Sequence, residues 1–236
     1  MTLKALLFDV DGTLAETEEV HRIAFNKAFE KAGLDWVWDQ PLYHILLGVT
    51  GGKERILYHV EREGLDKSAF PPERVKELHL SKTDFYVEMV AAGEIELRPG
   101  VEALLREAMA DGIRLAITTT TSRVNVERLI KATLGAEAMG WFEVFVTGDR
   151  VTNKKPDPEI YELALSDMNL PGEACVAVED APQGLVSSLG AGVPTIVTES
   201  SYSEGKNFEG ALKVIGMNDP RPTLADIRRW YSGVGV

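Results

Sequence analysis

The chain has 236 residues, 44% of them apolar, which is enough to bury a substantial core in one large domain or two small ones. Its 25 basic and 37 acidic side chains give a formal net charge of -12, which argues against broad binding to nucleic acid or to anionic membranes. The single cysteine, Cys175, excludes an internal disulfide, and no apolar run approaches the length of a membrane span.

These features also bear on where the protein works. A lone cysteine suits a reducing compartment, and Met1 leads almost directly into the first apolar run, which leaves no room for a targeting peptide. We therefore expect a cytoplasmic protein. No surface stripe indicates an interface between copies, so we expect a monomer.

The first informative stretch is Asp9 to Leu14, which follows the apolar run Leu3 to Phe8, a predicted buried strand. Residues two apart in an extended chain point the same way, so Asp9 and Asp11 should project together beyond the strand. Two neighbouring carboxylates repel each other unless a cation, a shared proton or a reaction compensates. The pair indicates a metal-assisted site; the alternative is two turn aspartates that cap the next element.

A helical insertion is predicted next, over residues 16–92. Val20, Ala24 and Ala28 mark one face of a helix that Gly33 ends, and further helices are expected over residues 53–63 and 72–91. No convincing strand interrupts them. The insertion is predicted to be a cap domain that excludes water and contacts substrate, or else a domain that only thickens the core. The predicted boundaries are 1–15 and 93–236 for the core domain and 16–92 for the cap.

Strand and helix patterns alternate in the rest of the chain. The expected strands are Leu115 to Thr118, Val144 to Val146, Cys175 to Val178 and Pro194 to Val197. The expected helices are Val101 to Ala110, Val124 to Ala132, Pro158 to Asp167, Gln183 to Ala191 and Leu224 to Trp230. This alternation predicts an α/β fold with a Rossmann-like parallel sheet, in which Cys175 is a core residue.

Polar residues also follow the first three of these strands, at the sheet edge where ligands bind in such folds. The run Thr118 to Arg123 offers hydroxyls and amides for phosphoryl oxygens, although serine and threonine also cap helices. Lys155 lies before a proline, which predicts an extended or turn conformation outside a helix. The segment could contribute a cation to the site, and the alternative is an ordinary basic loop. Glu179 and Asp180 end an apolar strand and suit Mg²⁺, which prefers oxygen ligands.

The order and spacing of Asp9, Asp11, Thr119, Lys155 and the pair Glu179-Asp180 resemble the haloacid-dehalogenase (HAD) superfamily of phosphatases. The insertion after the first strand matches the helical cap of one subclass, which includes beta-phosphoglucomutases, phosphoglycolate phosphatases and CbbY-type sugar bisphosphatases. One departure is Ala181, where relatives usually have serine. It removes a hydroxyl but no metal ligand, so we expect the same chemistry.

The resemblance implies roles for these core residues. Asp9 would attack phosphorus and form an aspartyl-phosphate, and Asp11 would protonate the leaving oxygen and then activate water. Thr119, Thr120 and Thr121 would bind phosphoryl oxygens, and Lys155 would restrain Asp9. The implied cofactor is Mg²⁺, held by Asp9, the main-chain carbonyl of Asp11, Glu179 and Asp180.

The resemblance also implies a substrate, because several cap segments look like those of CbbY-type proteins. Such proteins act on xylulose-1,5-bisphosphate, a Calvin-cycle by-product. Six cap residues and one core residue would then contact the sugar or its distal phosphate: Glu18, Thr50, Gly51, Gly52, Lys53, Arg55 and Arg123. For Arg123 the alternative is a place on a helix surface. A glycine turn with a solvated charged face is the alternative for residues 50–55. Trp36 and Trp38 are expected to pack inside the cap, and no histidine is assigned a role.

Several functions remain open at this point. The enzymatic alternatives are a beta-phosphoglucomutase-like mutase, which uses the same core motifs, and a phosphoglycolate-type phosphatase. Dehalogenation is disfavoured, because halide leaves without a proton and dehalogenases of this fold lack the second aspartate. A non-catalytic binding protein on this fold is disfavoured by intact Asp9, Asp11, Lys155 and Asp180.

Overall fold

The computed structural model describes residues 2–233 and contains a 6-stranded parallel sheet. Its strands are β1 (Ala5–Phe8), β2 (Arg114–Thr118), β3 (Val144–Val146), β4 (Cys175–Glu179), β5 (Thr195–Thr198) and β6 (Lys213–Ile215). They lie in the order β3-β2-β1-β4-β5-β6. The predicted α/β fold with a Rossmann-like parallel sheet is confirmed.

The sixth strand was missed by the sequence pattern. β6 has three residues at the edge of the sheet, and its first two, Lys213 and Val214, are exposed. A short strand with one buried side chain carries little of the apolar signal that marks a central strand. The other five strands match the predicted apolar runs to within two residues at each end.

The helices of the described chain include one that was not predicted, α2. In chain order they are α1 (Glu18–Lys31), α2 (Gln40–Leu46), α3 (Gly52–Arg62), α4 (Pro72–Ala91), α5 (Val101–Ala110), α6 (Arg123–Thr133), α7 (Glu159–Met168), α8 (Pro182–Gly190) and α9 (Leu224–Ser232). No helix in residues 2–233 is both long and apolar enough to span a lipid bilayer.

The chain divides into two compact units. Residues 17–95 form a helical unit that contains α1 to α4, and residues up to 16 and from 96 onward form the sheet unit. The chain leaves and rejoins the sheet unit at one place, because Ala15 and Leu97 form an antiparallel bridge. The helical unit is therefore inserted between β1 and α5.

The helical unit has an aromatic core of its own. Trp38 is fully buried against Phe25 and Phe29, with ring centroids 4.6 Å and 4.8 Å away. Trp36 packs edge-on against Phe29 and also contacts Phe70. The predicted packing role of both tryptophans is confirmed.

The sheet unit buries its central strands on both faces, as helices on each side of a parallel sheet require. Every residue of β1 is at most 1% exposed. On one face, α7 packs Ile160 and Ala164 into a cluster that includes Leu7 and Cys175. Cys175 is a buried free thiol, which confirms its prediction as a core residue.

The strand order places a topological switch point beside β1. The chain runs from β1 to β2 and β3 on one side, then crosses to β4, β5 and β6 on the other. Ligands bind beyond the carboxyl ends of the strands at such a point. The fold therefore directs attention to the residues that follow β1, β2 and β4.

Candidate active site

The strand register brings the predicted motifs to one edge of the sheet. Phe8, the last residue of β1, is paired with Ile117 of β2 and Val178 of β4. The residues that follow, Asp9, Thr118 and Glu179, therefore lie side by side. The main-chain N–H of Asp9 donates to the Val178 carbonyl at 3.0 Å, which extends the β1–β4 pairing by one step. Residues far apart in the chain thus form one site.

Lys155 connects three of these elements with a single ammonium group. Its Nζ lies 2.6 Å from Asp9 Oδ1, 2.7 Å from Glu179 Oε1 and 2.9 Å from the Thr118 carbonyl oxygen. Its side chain is only 5% exposed, so these acceptors replace the lost water. Burial lowers the pKa of Lys155, but Asp9 and Glu179 outweigh this and hold the pKa well above its usual value. The lysine is a permanent positive charge in the site.

Three buried carboxylates lie close together here, and two of them contact this lysine. Asp9, Glu179 and Asp180 each offer an oxygen within 4.8 Å of the other two. Burial raises the pKa of Asp9 well above its usual value, Lys155 opposes that rise, and Glu179 and Asp180 add to it. The three carboxylates carry more negative charge than one lysine offsets. Hard oxygen donors in this arrangement fit Mg²⁺, which would favour the ionised form of each acid.

Gly12 and Gly184 allow the backbone to approach the acids closely. Gly12 has a φ of 80°, and a Cβ atom there would lie 2.2 Å from Asp180 Oδ2. A Cβ atom at Gly184, in the first turn of α8, would lie 1.9 Å from Glu179 Oε2. Both distances are far below van der Waals contact. Glycine is therefore required at both positions for the acids to lie as they do.

Tyr161 is a site residue that the sequence analysis missed. It is fully buried on α7, and its hydroxyl donates to Glu179 Oε1, the same oxygen that accepts from Lys155. Burial and the Glu179 charge raise the pKa of Tyr161 well above its usual value, so the phenol keeps its proton. Because Tyr161 lies on the apolar face of α7, its sequence pattern is that of an ordinary core residue.

Asp180 has a separate hydroxyl partner, Ser200, which was also not predicted. Ser200 Oγ donates to Asp180 Oδ2 at 2.6 Å, and Ser203 Oγ accepts from the Ser200 main-chain N–H at 2.8 Å. Both serines are 1% exposed. Ser200 follows β5, so the rule that selected the ends of the other strands would have found it.

The predicted phosphoryl-binding segment follows β2. Thr119 is buried, its N–H donates to the Val146 carbonyl at 3.0 Å, and its Oγ1 accepts from the Thr121 N–H at 3.2 Å. Thr120 and Thr121 are half-buried in the turn before α6. The Ser122 hydroxyl is buried without a hydrogen-bond partner among the described residues. Hydroxyls are therefore concentrated at the start of this helix, whereas the N–H groups of Thr119 and Thr121 already have acceptors.

The side-chain contacts of Arg123 are with Glu127 and Phe145, outside the cluster of Asp9, Glu179 and Asp180. Its Nε donates to Glu127 Oε1 at 2.8 Å, and its guanidinium lies 3.8 Å from the centre of the Phe145 ring. These contacts belong to the surface of α6 and the edge strand β3. The predicted contact of Arg123 with a distal phosphate stays a prediction.

Asp11 lies two residues beyond Asp9, on the turn that Gly12 makes. It is half-buried, and it forms a parallel bridge with Ala15. Its carboxylate is not in the group formed by Asp9, Glu179 and Asp180. The predicted acid–base role of Asp11 and its main-chain contact with a metal stay predictions.

The predicted residues of the helical unit include one hydrogen-bonded chain. The Tyr43 hydroxyl donates to Glu18 Oε2 at 3.0 Å and accepts from Arg55 Nη1 at 2.9 Å. Arg55 is 8% exposed, and its buried Nε has no hydrogen-bond partner in the described chain. Thr50 and Gly51 precede α3, whose first turn holds Gly52 and the exposed Lys53. The glycine loop thus opens a helix whose buried face carries Arg55.

A second buried polar contact in the helical unit involves His21, to which the sequence analysis assigned no role. His21 Nδ1 lies 2.6 Å from Lys82 Nζ, and its ring stacks on Tyr86 with centroids 4.1 Å apart. Both His21 and Lys82 are 4% exposed. A buried histidine–lysine pair has no short-range sequence signal, because its members are 61 residues apart.

The sheet-unit residues together suit phosphoryl transfer. A carboxylate beside an ammonium group, further acids that suit a divalent cation, and hydroxyls at a helix start provide a nucleophile, positive charge and oxygen-binding donors. Attack on phosphorus by a carboxylate needs this combination, because the phosphoryl group is itself negatively charged.

Comparisons with known proteins agree with this assignment. The family model for haloacid dehalogenase-like hydrolases matches residues 3–192. Protein CbbY of Rhodobacter capsulatus is 50% identical over 211 residues, which cover 89% of this chain and 92% of that protein. The plasmid-encoded protein CbbY of Cupriavidus necator is 41% identical over 249 aligned positions, which cover 98% of each chain.

A solved structure gives the same result at the level of the fold. The crystal structure of a CbbY variant from Rhodobacter sphaeroides in complex with xylulose-1,5-bisphosphate superposes with a TM-score of 0.86 at 46% sequence identity. The match covers 91% of this chain and 94% of that one.

Proposed function

Because the chain belongs to the haloacid dehalogenase-like hydrolase family and is a phosphatase, we propose that it hydrolyses a phosphorylated sugar, with xylulose-1,5-bisphosphate as the expected substrate. The observation that carries the proposal is the Lys155 ammonium group between Asp9 and Glu179, beside Asp180. The substrate rests on the sugar bisphosphate bound to the related CbbY variant.

The proposed nucleophile is Asp9. A carboxylate and a phosphate dianion about 4 Å apart repel each other by about 8 kcal/mol at an effective dielectric constant near 20. Lys155, 2.6 Å from Asp9 Oδ1, offsets part of this repulsion and fixes the orientation of the carboxylate. Thr119 and the turn that follows would bind phosphoryl oxygens. An oxygen of Asp9 then forms a bond to phosphorus while the bond from phosphorus to the sugar oxygen breaks.

Asp11 would handle the protons. It protonates the sugar oxygen as that oxygen leaves, and it then accepts a proton from the water molecule that attacks the aspartyl-phosphate. The products are inorganic phosphate and the sugar with a free hydroxyl group at that position, and Asp9 is regenerated. The half-buried position of Asp11, beyond the buried cluster, leaves it access to a substrate oxygen and to water.

The proposed cofactor is Mg²⁺. Asp9, Glu179, Asp180 and the main-chain carbonyl of Asp11 would hold it, and the first three present converging oxygens. When bound, the ion supplies positive charge that favours ionised carboxylates and polarises phosphoryl oxygens. Without a cation, burial and like charges raise the pKa of Asp9 and disfavour the ionised nucleophile.

Selection of a bisphosphate would come from the helical unit, acting as a cap. Arg55 has a buried, unpartnered Nε and is linked through Tyr43 to Glu18. Lys53 adds an exposed cation next to the glycines of the same loop. An arginine, a lysine and free amides form a suitable site for a second, non-reacting phosphate. The sugar hydroxyls would bind Glu18. Arg123 would contribute from the sheet unit.

The experiment is a measurement of phosphate release from sugar bisphosphates and monophosphates in the presence of Mg²⁺. We expect preference for the bisphosphate, and an increase of about tenfold in its KM on Lys53→Ala, the loss of one charge-assisted contact. Lys76→Ala, which removes an exposed lysine from α4, is the matched control and should leave KM unchanged.

Two outcomes would contradict the proposal. Equal rates on monophosphates, unaffected by Lys53→Ala, would exclude selection by the second phosphate. Conversion of a sugar phosphate to its isomer with no inorganic phosphate released would indicate a mutase. The expectations of a monomeric, cytoplasmic protein stay predictions from the sequence.

A further inference from the structure

Arg98 is a buried cation that the proposed chemistry does not use. It lies where the chain rejoins the sheet unit, directly before Pro99-Gly100, and its main-chain N–H donates to the Leu14 carbonyl at 2.8 Å. Its side chain is only 2% exposed. A guanidinium group so deeply buried needs several acceptors.

The acceptors of Arg98 come from two loops beside the acidic cluster. Nη1 donates to the Gly12 carbonyl and, at 3.1 Å, to the Thr198 carbonyl, and Nη2 donates to the Glu199 carbonyl. Gly12 directly follows Asp11, and Glu199 directly precedes Ser200. One planar side chain therefore joins the turn after β1 to the end of β5.

Asp180 lies between these two loops. Its Oδ2 accepts from Ser200 Oγ at 2.6 Å on one side, and on the other side it would contact a Cβ atom at Gly12 at 2.2 Å. Any change in the spacing of the two loops would move this carboxylate or break its hydrogen bond to Ser200. The position of Asp180 thus depends on contacts that Arg98 makes and Asp180 does not.

Glu16 orients the guanidinium from its third side. Glu16 Oε1 lies 3.2 Å from Arg98 Nε, and Glu16 Oε2 accepts from Ser201 Oγ at 3.0 Å. Glu16 is the last residue of the sheet unit before the inserted helices, and Arg98 is close to the first residue after them. The two ends of the insertion are therefore fixed to the same loops that flank Asp180.

We propose that Arg98 is a positioning residue that sets the spacing between the Gly12 turn and the end of β5, and thereby the position of the Asp180 carboxylate. The proposal rests on the phosphatase function and the Mg²⁺ site proposed above. Arg98 donates to main-chain carbonyls of both loops, so it acts on the carboxylate through the two loops, in addition to its charge. We expect lysine not to replace it, because an ammonium group is a single point donor and lacks the planar fork with which Nη1 and Nη2 reach separate carbonyls.

The test is Arg98→Lys. Isothermal titration calorimetry measures Mg²⁺ binding to the protein in the absence of substrate, and steady-state kinetics give kcat and KM. Mutation of a residue that orients metal ligands typically lowers metal affinity or activity by 10- to 100-fold. We expect Mg²⁺ affinity and kcat each to fall about tenfold. KM should stay nearly constant, because the donors of the buried Arg98 are used by main-chain carbonyls and by Glu16. Unchanged Mg²⁺ affinity and kcat in the folded variant would overturn the proposal.

A second variant decides the matter if Arg98→Lys does not fold. Glu16→Gln removes the charge that orients Arg98, and Glu143→Gln removes the equivalent partner of Arg114 in an ion pair of similar exposure, 47% against 40%. We expect weaker Mg²⁺ binding in Glu16→Gln only; equal affinities in both variants and the wild type would overturn the proposal. Absence of phosphatase activity in the wild type would instead contradict the proposed function, whatever the variants bind.

Discussion

At the scale of single residues, the site brings buried charges of both signs into contact, with more negative charge than positive. Asp9, Glu179 and Asp180 are each less than 10% exposed, and Lys155 lies between two of them. Removal of one partner from a buried charged pair leaves the other uncompensated, which is costly. Chemistry and stability are therefore coupled at these positions, and substitutions need to preserve shape.

The first prediction concerns Asp9→Asn, which keeps the shape of the nucleophile and removes its charge. We expect phosphatase turnover to fall by at least about 10³-fold, as for the loss of other covalent nucleophiles. The melting temperature should change by only a few degrees, since Lys155 keeps Glu179 and the Thr118 carbonyl as acceptors. Phosphate release and thermal unfolding measure the two effects. Substantial activity in carefully purified variant protein would exclude Asp9 as nucleophile.

The second prediction concerns the Tyr161 hydroxyl. Tyr161→Phe keeps the ring in the core and removes one donor from Glu179 Oε1. We expect a loss of about 1.5–3 kcal/mol in the free energy of unfolding, the usual contribution of a hydrogen bond to a charged group. Activity should fall by about tenfold, because Glu179 also holds Lys155.

The matched control for that change is Tyr231→Phe. The Tyr231 hydroxyl donates to the Glu173 carbonyl, a neutral acceptor remote from the proposed chemistry. The Tyr231→Phe variant should lose about 1 kcal/mol in the free energy of unfolding and no activity. Equal activity in the two variants would show that Tyr161 does not support the site. Urea titration and phosphate release are the measurements.

The residues that the sequence identifies and those it misses differ in a physical way. Asp9, Lys155 and Asp180 follow or adjoin apolar strands, where the topology of a parallel sheet brings polar groups together. Tyr161 and Arg98 lie in other segments and donate to neighbours of those groups, Glu179 and the Gly12 carbonyl. Tyrosine on an apolar helix face and arginine before a proline have ordinary structural explanations, so their partners become visible only in three dimensions.

At the scale of the elements, the central strands and the edge strand β3 were predictable, whereas the edge strand β6 was not. β1 is apolar on both faces because helices cover both sides of the sheet. β6 lies at the edge, with Lys213 and Val214 exposed, and lacks that signal. The short helix α2 starts at an Asp39 cap with Pro41 in its first turn, signals that were present but weak over seven residues.

The contact between α8 and β4 supplies the third prediction. Gly184→Ala would ordinarily stabilise a helix, because alanine has the higher helix propensity. Here the added Cβ would lie 1.9 Å from Glu179 Oε2, so the helix or the acid must move. We expect a loss of about 1–3 kcal/mol in the free energy of unfolding, as for overpacked cores, together with lower activity.

A control for this change is Gly140→Ala, where an added Cβ would have nothing within 4 Å. It should keep full activity and near-native stability. Denaturant unfolding of both variants gives the comparison. If Gly184→Ala were as stable and active as Gly140→Ala, the close approach of α8 to Glu179 would not be required.

At the scale of the whole molecule, the net charge of -12 suggests a second role for a divalent cation, the stabilisation of the folded chain. Three acids converge only in the folded chain, so Mg²⁺ should bind the native state and stabilise it. A ligand at 100 times its dissociation constant adds about 2.7 kcal/mol. We expect Mg²⁺ to raise the melting temperature and EDTA to remove both this increase and the activity reversibly.

Asp180→Asn tests whether that stabilisation comes from the site. The variant removes one carboxylate of the three, and the melting temperature should then respond much less to Mg²⁺ than in the wild type. Scanning calorimetry with and without the ion measures this directly. An equal increase in both proteins would mean that the ion acts elsewhere on the acidic surface.

The antiparallel bridge between Ala15 and Leu97 has a consequence for how such enzymes diversify. The 79 residues 17–95 leave and rejoin the sheet unit beside this bridge, and all six strands of the described chain lie outside them. A different domain whose two ends are similarly close could therefore be inserted at the same point without moving the active-site residues. Evolution can therefore change what such a catalyst recognises by exchanging one cassette.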